Sequence, residues 1–140
     1  RFVPACKSQD KFKRTIRHLT SRSNGKGYAW LKLKLTQYIR GWMTYYRHAD
    51  MKNFIRGINQ WYCRRLRMYI WKSWKLPRTR FTNLQKCGIN RQKSREWSNS
   101  RKGYWHISKS WILHRAIPTE KLEMAGYPSM NKLYIQLHRS

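Results

Sequence analysis

The densest concentration of chemically capable side chains runs from Arg64 to Arg80. Arg64-Arg65-Leu66-Arg67-Met68-Tyr69-Ile70-Trp71-Lys72-Ser73-Trp74-Lys75 leads on to Arg78 and Arg80. At helical spacing Arg64, Arg67, Trp71 and Trp74 with Lys75 share a face. Guanidinium forks match phosphate oxygens, and indoles offer flat surfaces to unstacked bases, so the chemistry indicated is contact with nucleic acid. The plain alternative is a solvated charge run beside core aromatics. The balance of the whole chain favours the first reading: 32 Lys+Arg against 5 Asp+Glu give a formal net charge of +27 over 140 residues. A compact body so charged repels itself unless a polyanion shares its surface.

Two further clusters add candidates. In Tyr38, Arg40, Trp42, Tyr45, Tyr46 and Arg47, the residues Tyr38, Trp42 and Tyr45 lie on an apolar seam and are expected in the core. Arg40, Tyr46 and Arg47 fall off that seam and are expected to make contacts. The segment Phe81 to Ser94 has the rhythm of a helix-turn-helix, with Leu84, Gly88 and Ile89 where the turn needs them. Trp97 lies on the packing side of its second helix, and Arg91, Lys93 and Arg95 would face a groove. Ser94 stands where an apolar residue is usual, and an ordinary helix pair explains the segment equally well.

Other chemistries are poorly supplied. Asp10, Asp50, Glu96, Glu120 and Glu123 are scattered, too few for paired-carboxylate catalysis or a carboxylate metal cage. His18, His48, His106, His114 and His138 have no metal-ligand spacing, and Cys6, Cys63 and Cys87 include no Cys-x-x-Cys. Neither a catalytic residue nor a metal site nor a cofactor is expected within the chain. Gly25-Lys26-Gly27 is too short for a phosphate cradle. The cysteines suit the reduced thiols of an intracellular protein, expected in the cytoplasm with nucleoid or RNA. No apolar run of about 18 residues occurs and Arg1-Phe2-Val3-Pro4 lacks a secretory core, so no membrane partner is expected.

The elements that must position these side chains are helices throughout. Phe12, Ile16 and Leu19 form one stripe, with Ser8 placed to cap it. Ser21 to Gly27 marks a loop. Leu31, Leu35, Tyr38, Trp42, Tyr45 and Ala49 form a longer seam, with Gly41 suited to close approach by another backbone, of helix or nucleic acid. Asp50 caps a third helix carrying Ile55, Ile58, Tyr62, Leu66 and Tyr69, which Pro77 ends at Leu76. Thr79–Lys86 is a short helix stopped by Gly88, and Asn90 caps a second one reaching to about Asn99. Tyr104-Trp105-His106-Ile107 is expected to be extended, followed by helices from Thr119 to Ala125 and onward from Tyr127. The predicted architecture is all-α: a three-helix bundle over residues 1–76, then a smaller region of short helices over 77–140. The last thirty residues carry only 4 Lys+Arg and 2 acids, which suits packing or a partner surface.

The motifs bring a family into view. Leu35-Thr36-Gln37-Tyr38-Ile39-Arg40-Gly41-Trp42-Met43-Thr44-Tyr45-Tyr46 resembles the signature of the maturase-specific region of group II intron reverse transcriptases. So does Trp61-Tyr62-Cys63-Arg64-Arg65-Leu66-Arg67 leading into Trp71-Lys72-Ser73-Trp74-Lys75. The similarity continues through Asn83-Leu84, Gly88-Ile89, Arg101-Lys102-Gly103-Tyr104-Trp105 and Gly126-Tyr127-Pro128-Ser129. This resemblance implies a polymerase thumb and maturase surface gripping group II intron RNA, followed by a small region that binds target DNA. Arg40, Arg64, Arg65 and Arg67 would line the side facing RNA or template. Residues Thr79 to Tyr104 would form the DNA-facing module, which brings in Arg101, Lys102 and Tyr104.

The family's Tyr-x-Asp-Asp polymerase turn does not occur here, nor does a zinc-containing endonuclease tail. The chain looks like the region after the palm, a fragment or a free-standing remnant, so an enzymatic role stays open. Magnesium is expected only in such a palm or in the intron RNA. Trp111 stands where the family suggests a proline. The expected function is binding: intron RNA for splicing, primer-template or target DNA for retrohoming, with an upstream reverse transcriptase domain as possible partner. A structural RNA-binding protein of ribosomal type and a helix-turn-helix DNA regulator are the alternatives.

Overall fold

The computed structural model describes residues 6–21 and 26–139, and among these it contains nine helices and no strand. The expected all-α class is therefore correct. The helices are α1 (Cys6–Leu19), α2 (Gly27–Tyr45), α3 (Lys52–Ser73), α4 (Pro77–Lys86), α5 (Arg91–Ser98), α6 (Tyr104–Ser108), α7 (Trp111–Ala116), α8 (Thr119–Met124) and α9 (Met130–Arg139). Much of the loop expected over Ser21–Gly27 lies outside the described residues. No helix among them is long and apolar enough to cross a membrane.

The chain forms two compact units, residues 1–62 with 123–140 and residues 63–122. This division does not coincide with the one read at Pro77. It assigns α9 to the unit of α1 and α2, and it places the second half of α3 with the short helices.

In the first unit, α1 packs on α2 through an aromatic cluster. The Phe12 ring lies 4.8 Å from Trp42, 5.7 Å from Tyr38 and 5.7 Å from Phe54, centroid to centroid. Such tilted and edge-on pairs bury large apolar area in favourable quadrupole geometry. Helix α2 buries Leu31, Leu35, Ile39 and Met43, a row of every fourth residue. Helix α9 packs on α2. Its lead-in is held by the Tyr62 hydroxyl donating to the Pro128 carbonyl at 2.9 Å, and Met51 N–H donates to the Tyr134 hydroxyl at 3.4 Å. Ser8 is not the cap of α1, which begins at Cys6; its Oγ instead accepts from the Tyr46 hydroxyl at 2.8 Å. Asp50 lies one residue before the cap position of α3, which Met51 takes, and its Oδ1 accepts from Lys52 N–H at 3.3 Å.

In the second unit, α3 stops at Ser73 rather than Leu76. Leu76 is extended (φ −99°, ψ 146°), as a residue before proline prefers, and Pro77 opens α4 at its first turn. The proline thus starts one helix more than it ends another. Gly88 takes φ +90°, a conformation glycine adopts without strain, and closes α4 with Ile89 N–H on the Leu84 carbonyl at 3.0 Å. Asn90 then caps α5, its Oδ1 accepting from Lys93 N–H at 2.8 Å. Residues 104–107 are helical, not extended. Gly103 supplies the extended N-cap, Ile107 N–H bonds the Gly103 carbonyl at 3.0 Å, and burial of Ile107 outweighs the strand preference of Tyr-Trp-His-Ile.

Candidate nucleic-acid interface

From Cys63 to Trp71, α3 is enclosed on nearly all sides: Cys63, Leu66, Met68, Tyr69 and Trp71 are all buried. Arg64 and Arg65 are only half-buried in this stretch, whereas Arg67 has no solvent face to turn to. Arg67 is only 4% exposed. Its Nε donates to the Ile117 carbonyl at 2.7 Å and an Nη to Thr119 Oγ1 at 3.4 Å. Ile117 is the C-cap of α7, where carbonyls lack intrahelical donors and the helix dipole is negative. Burial lowers the Arg67 pKa from its ordinary value, while Cys63 and Glu120 act in the opposite sense.

Arg64 and Arg80 repeat the device. An Nη of Arg64 donates to the Trp105 carbonyl at 2.6 Å, its Nε donates to Ser108 Oγ at 3.0 Å, and its guanidinium lies 3.6 Å from the Trp105 ring centroid. Desolvation lowers its pKa as well. An Nη of Arg80 reaches the Trp71 carbonyl at 3.4 Å, and its guanidinium sits 4.5 Å from the Trp71 ring and 5.6 Å from Tyr104. Its Nε is buried with no partner among the described residues. Each of these arginines thus holds a backbone carbonyl: Arg67 and Arg80 near the C-terminal ends of α7 and α3, and Arg64 inside the short helix α6. In an acid-poor chain, carbonyl dipoles and ring faces do what carboxylates do elsewhere.

This corrects part of the sequence reading. Arg67, Trp71 and Arg80 are inside, as is Tyr46 in the first unit, so none offers an open surface. On the face shared by Arg64, Arg67 and Trp71, the last two turn inward and Arg64 lies half-buried against the Trp105 ring. The reason is that an interior arginine carries the same letter as a phosphate-gripping one, and helical spacing does not separate them.

The residues that do reach the surface assemble around α6. Tyr104 and Trp105 are both exposed. Lys72 Nζ lies 5.1 Å from the Tyr104 ring, and the Arg65 guanidinium lies 5.8 Å from Trp105. Arg101 and Lys102, just before this pair in sequence, are exposed; so are Lys75 and Arg78 after α3, and Trp74 is half-buried with its ring 6.0 Å from Trp71. The result is a patch of half-exposed rings and cations. Trp105, not singled out from the sequence as a candidate, is exposed beside Tyr104 because both open α6.

On α5, Arg91 and Arg95 are exposed, and Lys93 is half-buried with its Nζ 3.4 Å from Glu96. Ser94, the apparent flaw in the helix-turn-helix pattern, is buried and donates to the Ile89 carbonyl at 3.2 Å. In the first unit Arg40 and Arg47 are exposed, with Arg47 Nε 3.2 Å from His48 Nε2. Gly41 is exposed too, and a Cβ built on it would meet nothing within 4 Å; no helix makes the close approach expected there. Tyr45, expected in the core, is 80% exposed. Cys6, Cys63 and Cys87 form no disulfide with one another. Among the described residues, no three or more His, Cys, Asp or Glu side chains group where they could hold a metal ion.

No curated protein matches the chain. A family model does: residues 9–88 match the group II intron, maturase-specific domain. That span covers α1 to α4 and the turn after it, more than half of the chain. With the helical architecture and the order of motifs in agreement with it, the chain belongs to the group II intron maturase-specific family, and its role is in the splicing of such introns.

Proposed function

We propose that the chain acts by binding alone, gripping group II intron RNA and stabilising the fold in which that RNA splices. The observation that carries this is the patch of exposed Tyr104 and Trp105 with Lys72 and Arg65 beside their rings, preceded in sequence by exposed Arg101 and Lys102. Cations there neutralise phosphates crowded where RNA segments meet, and the rings stack on unpaired bases. Bond rearrangement on this reading belongs to the RNA and its magnesium. The α4–turn–α5 pair, which presents Arg91 and Arg95 outward, supports a second part: holding target DNA or primer-template, alongside an upstream reverse transcriptase domain.

Binding of the purified chain to a group II intron RNA, across salt, tests the proposal. If about 6–10 phosphates are engaged, affinity falls roughly 10³–10⁵-fold between 50 and 200 mM salt. Preference for the intron over ribosomal RNA of equal length separates this reading from a general RNA-packing role. A flat salt response, or equal binding to both RNAs, defeats it.

A further inference from the structure

Helix α7 turns Ile112, Leu113 and Ala116 inward and leaves Trp111 50% exposed. Its ring stands nearly perpendicular to that of Trp97, at 87° and 6.2 Å between centroids. The two indoles form a corner, not a flat cover. They line a hollow of about 300 Å³ with Lys93, Glu96, Ser100 and Lys102. The hollow is shallow and open to solvent, which suits one planar base at the surface and not an enclosed small molecule. A second hollow of about 130 Å³ adjoins Trp111 and Lys93 and adds Asn90, Gly88 and Arg115.

We infer that the Trp97–Trp111 corner receives one unpaired base of an RNA strand, and that Glu96 makes guanine the preferred base. The inference rests on the RNA-binding reading above and names one subsite within it. A base stacked on one indole meets the other at its edge, the arrangement that aromatic quadrupoles favour. Lys93 and Lys102 flank the opening, and Arg115 in the neighbouring hollow suits the next phosphate along the strand.

Glu96 is the chemical clue. In a chain with 5 acids, a carboxylate beside two tryptophans repels phosphate, so its value lies in accepting hydrogen bonds. Its Oε1 accepts from Gln92 Nε2 at 3.3 Å and Oε2 from Lys93 Nζ at 3.4 Å. Each carboxylate oxygen keeps a further lone pair. Guanine presents two adjacent donors, N1–H and N2–H, which fit a carboxylate bidentately. Adenine, cytosine and uracil each present only one kind of donor on the corresponding edge.

Short oligouridylates carrying one central G, A or C, titrated with the full chain at physiological salt, provide the test. The G oligonucleotide should bind at least about fivefold tighter than the others. Trp111→Leu, which keeps apolar cover over Trp97 but removes the stacking ring, should weaken it roughly 5- to 150-fold. Glu96→Gln should level the four bases without weakening the uridylate itself. Because Glu96 is exposed, that variant tests the idea even if Trp111→Leu disturbs the fold. Equal binding of all four bases by the unmutated chain, or a guanine preference that survives Glu96→Gln, overturns the inference. Intron RNA binding with its full salt dependence would persist in that event, which separates failure of the subsite from failure of the RNA-binding reading.

Discussion

The two units handle positive charge in opposite ways. In the first, cations stay outside: Arg40 and Arg47 are exposed, while Phe12, Leu31, Leu35 and Ile39 fill the interior. In the second, Arg67 and Arg80 are built into the interior on backbone carbonyls. The contrast follows from how much of each helix is covered. Helix α2 has one buried side, so its charges find water on the other. The second half of α3 is covered on the side that carries Arg67, so that charge is satisfied by protein dipoles, while Arg65 and Lys72 keep partial access to water. Charge count alone therefore overstates the surface available to a polyanion in the second unit and not in the first.

The largest effect that tests this contrast belongs to the first unit's interior. Phe12→Ala opens a cavity among Tyr38, Trp42 and Phe54 and should cost about 3–5 kcal/mol, read by chemical denaturation. Arg67→Ala should cost about 1–3 kcal/mol, because it leaves the buried Ile117 carbonyl without its donor. Arg67→Lys should recover only part of this, since an ammonium cannot reproduce the fork that spans Ile117 and Thr119. By comparison Arg40→Ala should move stability by no more than about 0.5 kcal/mol. Equal costs for Arg67→Ala and Arg40→Ala would erase the distinction between the units.

For binding the order reverses. Lys72→Ala, on the patch with Tyr104, should lower intron RNA affinity and reduce the slope of log affinity against log salt by about 1. Arg67→Met, which keeps the volume inside the unit, should leave that slope unchanged. A slope that falls equally in both variants would place Arg67 on the RNA.

How much of this was legible in the sequence depended on the same covering. Ile55, Ile58, Tyr62, Leu66 and Tyr69 are all buried as their spacing predicted, because apolar periodicity reports burial directly. Gly88 and Asn90 were equally readable, since their turn and cap roles depend on local backbone chemistry. Arg67 and Arg80 were not, because their partners are carbonyls 50 and 9 residues away, and every residue has a carbonyl. Trp111 and Trp97 were not paired for a similar reason: their contact joins helices whose packing no local pattern encodes.

The smallest contrast sits within two adjacent residues. The expected seam placed Tyr45 inside and Tyr46 outside, and the structure reverses them, 80% against 9% exposed. The buried row of α2 runs Leu31, Leu35, Ile39, Met43, beside the half-buried Tyr38 and Trp42 of the expected stripe, and Tyr46 leaves helical geometry at φ −100°, ψ 19° just after the helix ends at Tyr45. Tyr46→Phe deletes the donor to Ser8 and should cost about 0.5–1.5 kcal/mol with RNA affinity unchanged. Tyr45→Ala should leave stability within about 0.5 kcal/mol. If the outer face of α2, with Arg40 and Arg47, also meets RNA, Tyr45→Ala should weaken intron binding while Tyr46→Phe does not. Loss of affinity in Tyr46→Phe alone would return the buried tyrosine to the binding surface and reverse the assignment of inner and outer faces at this helix end.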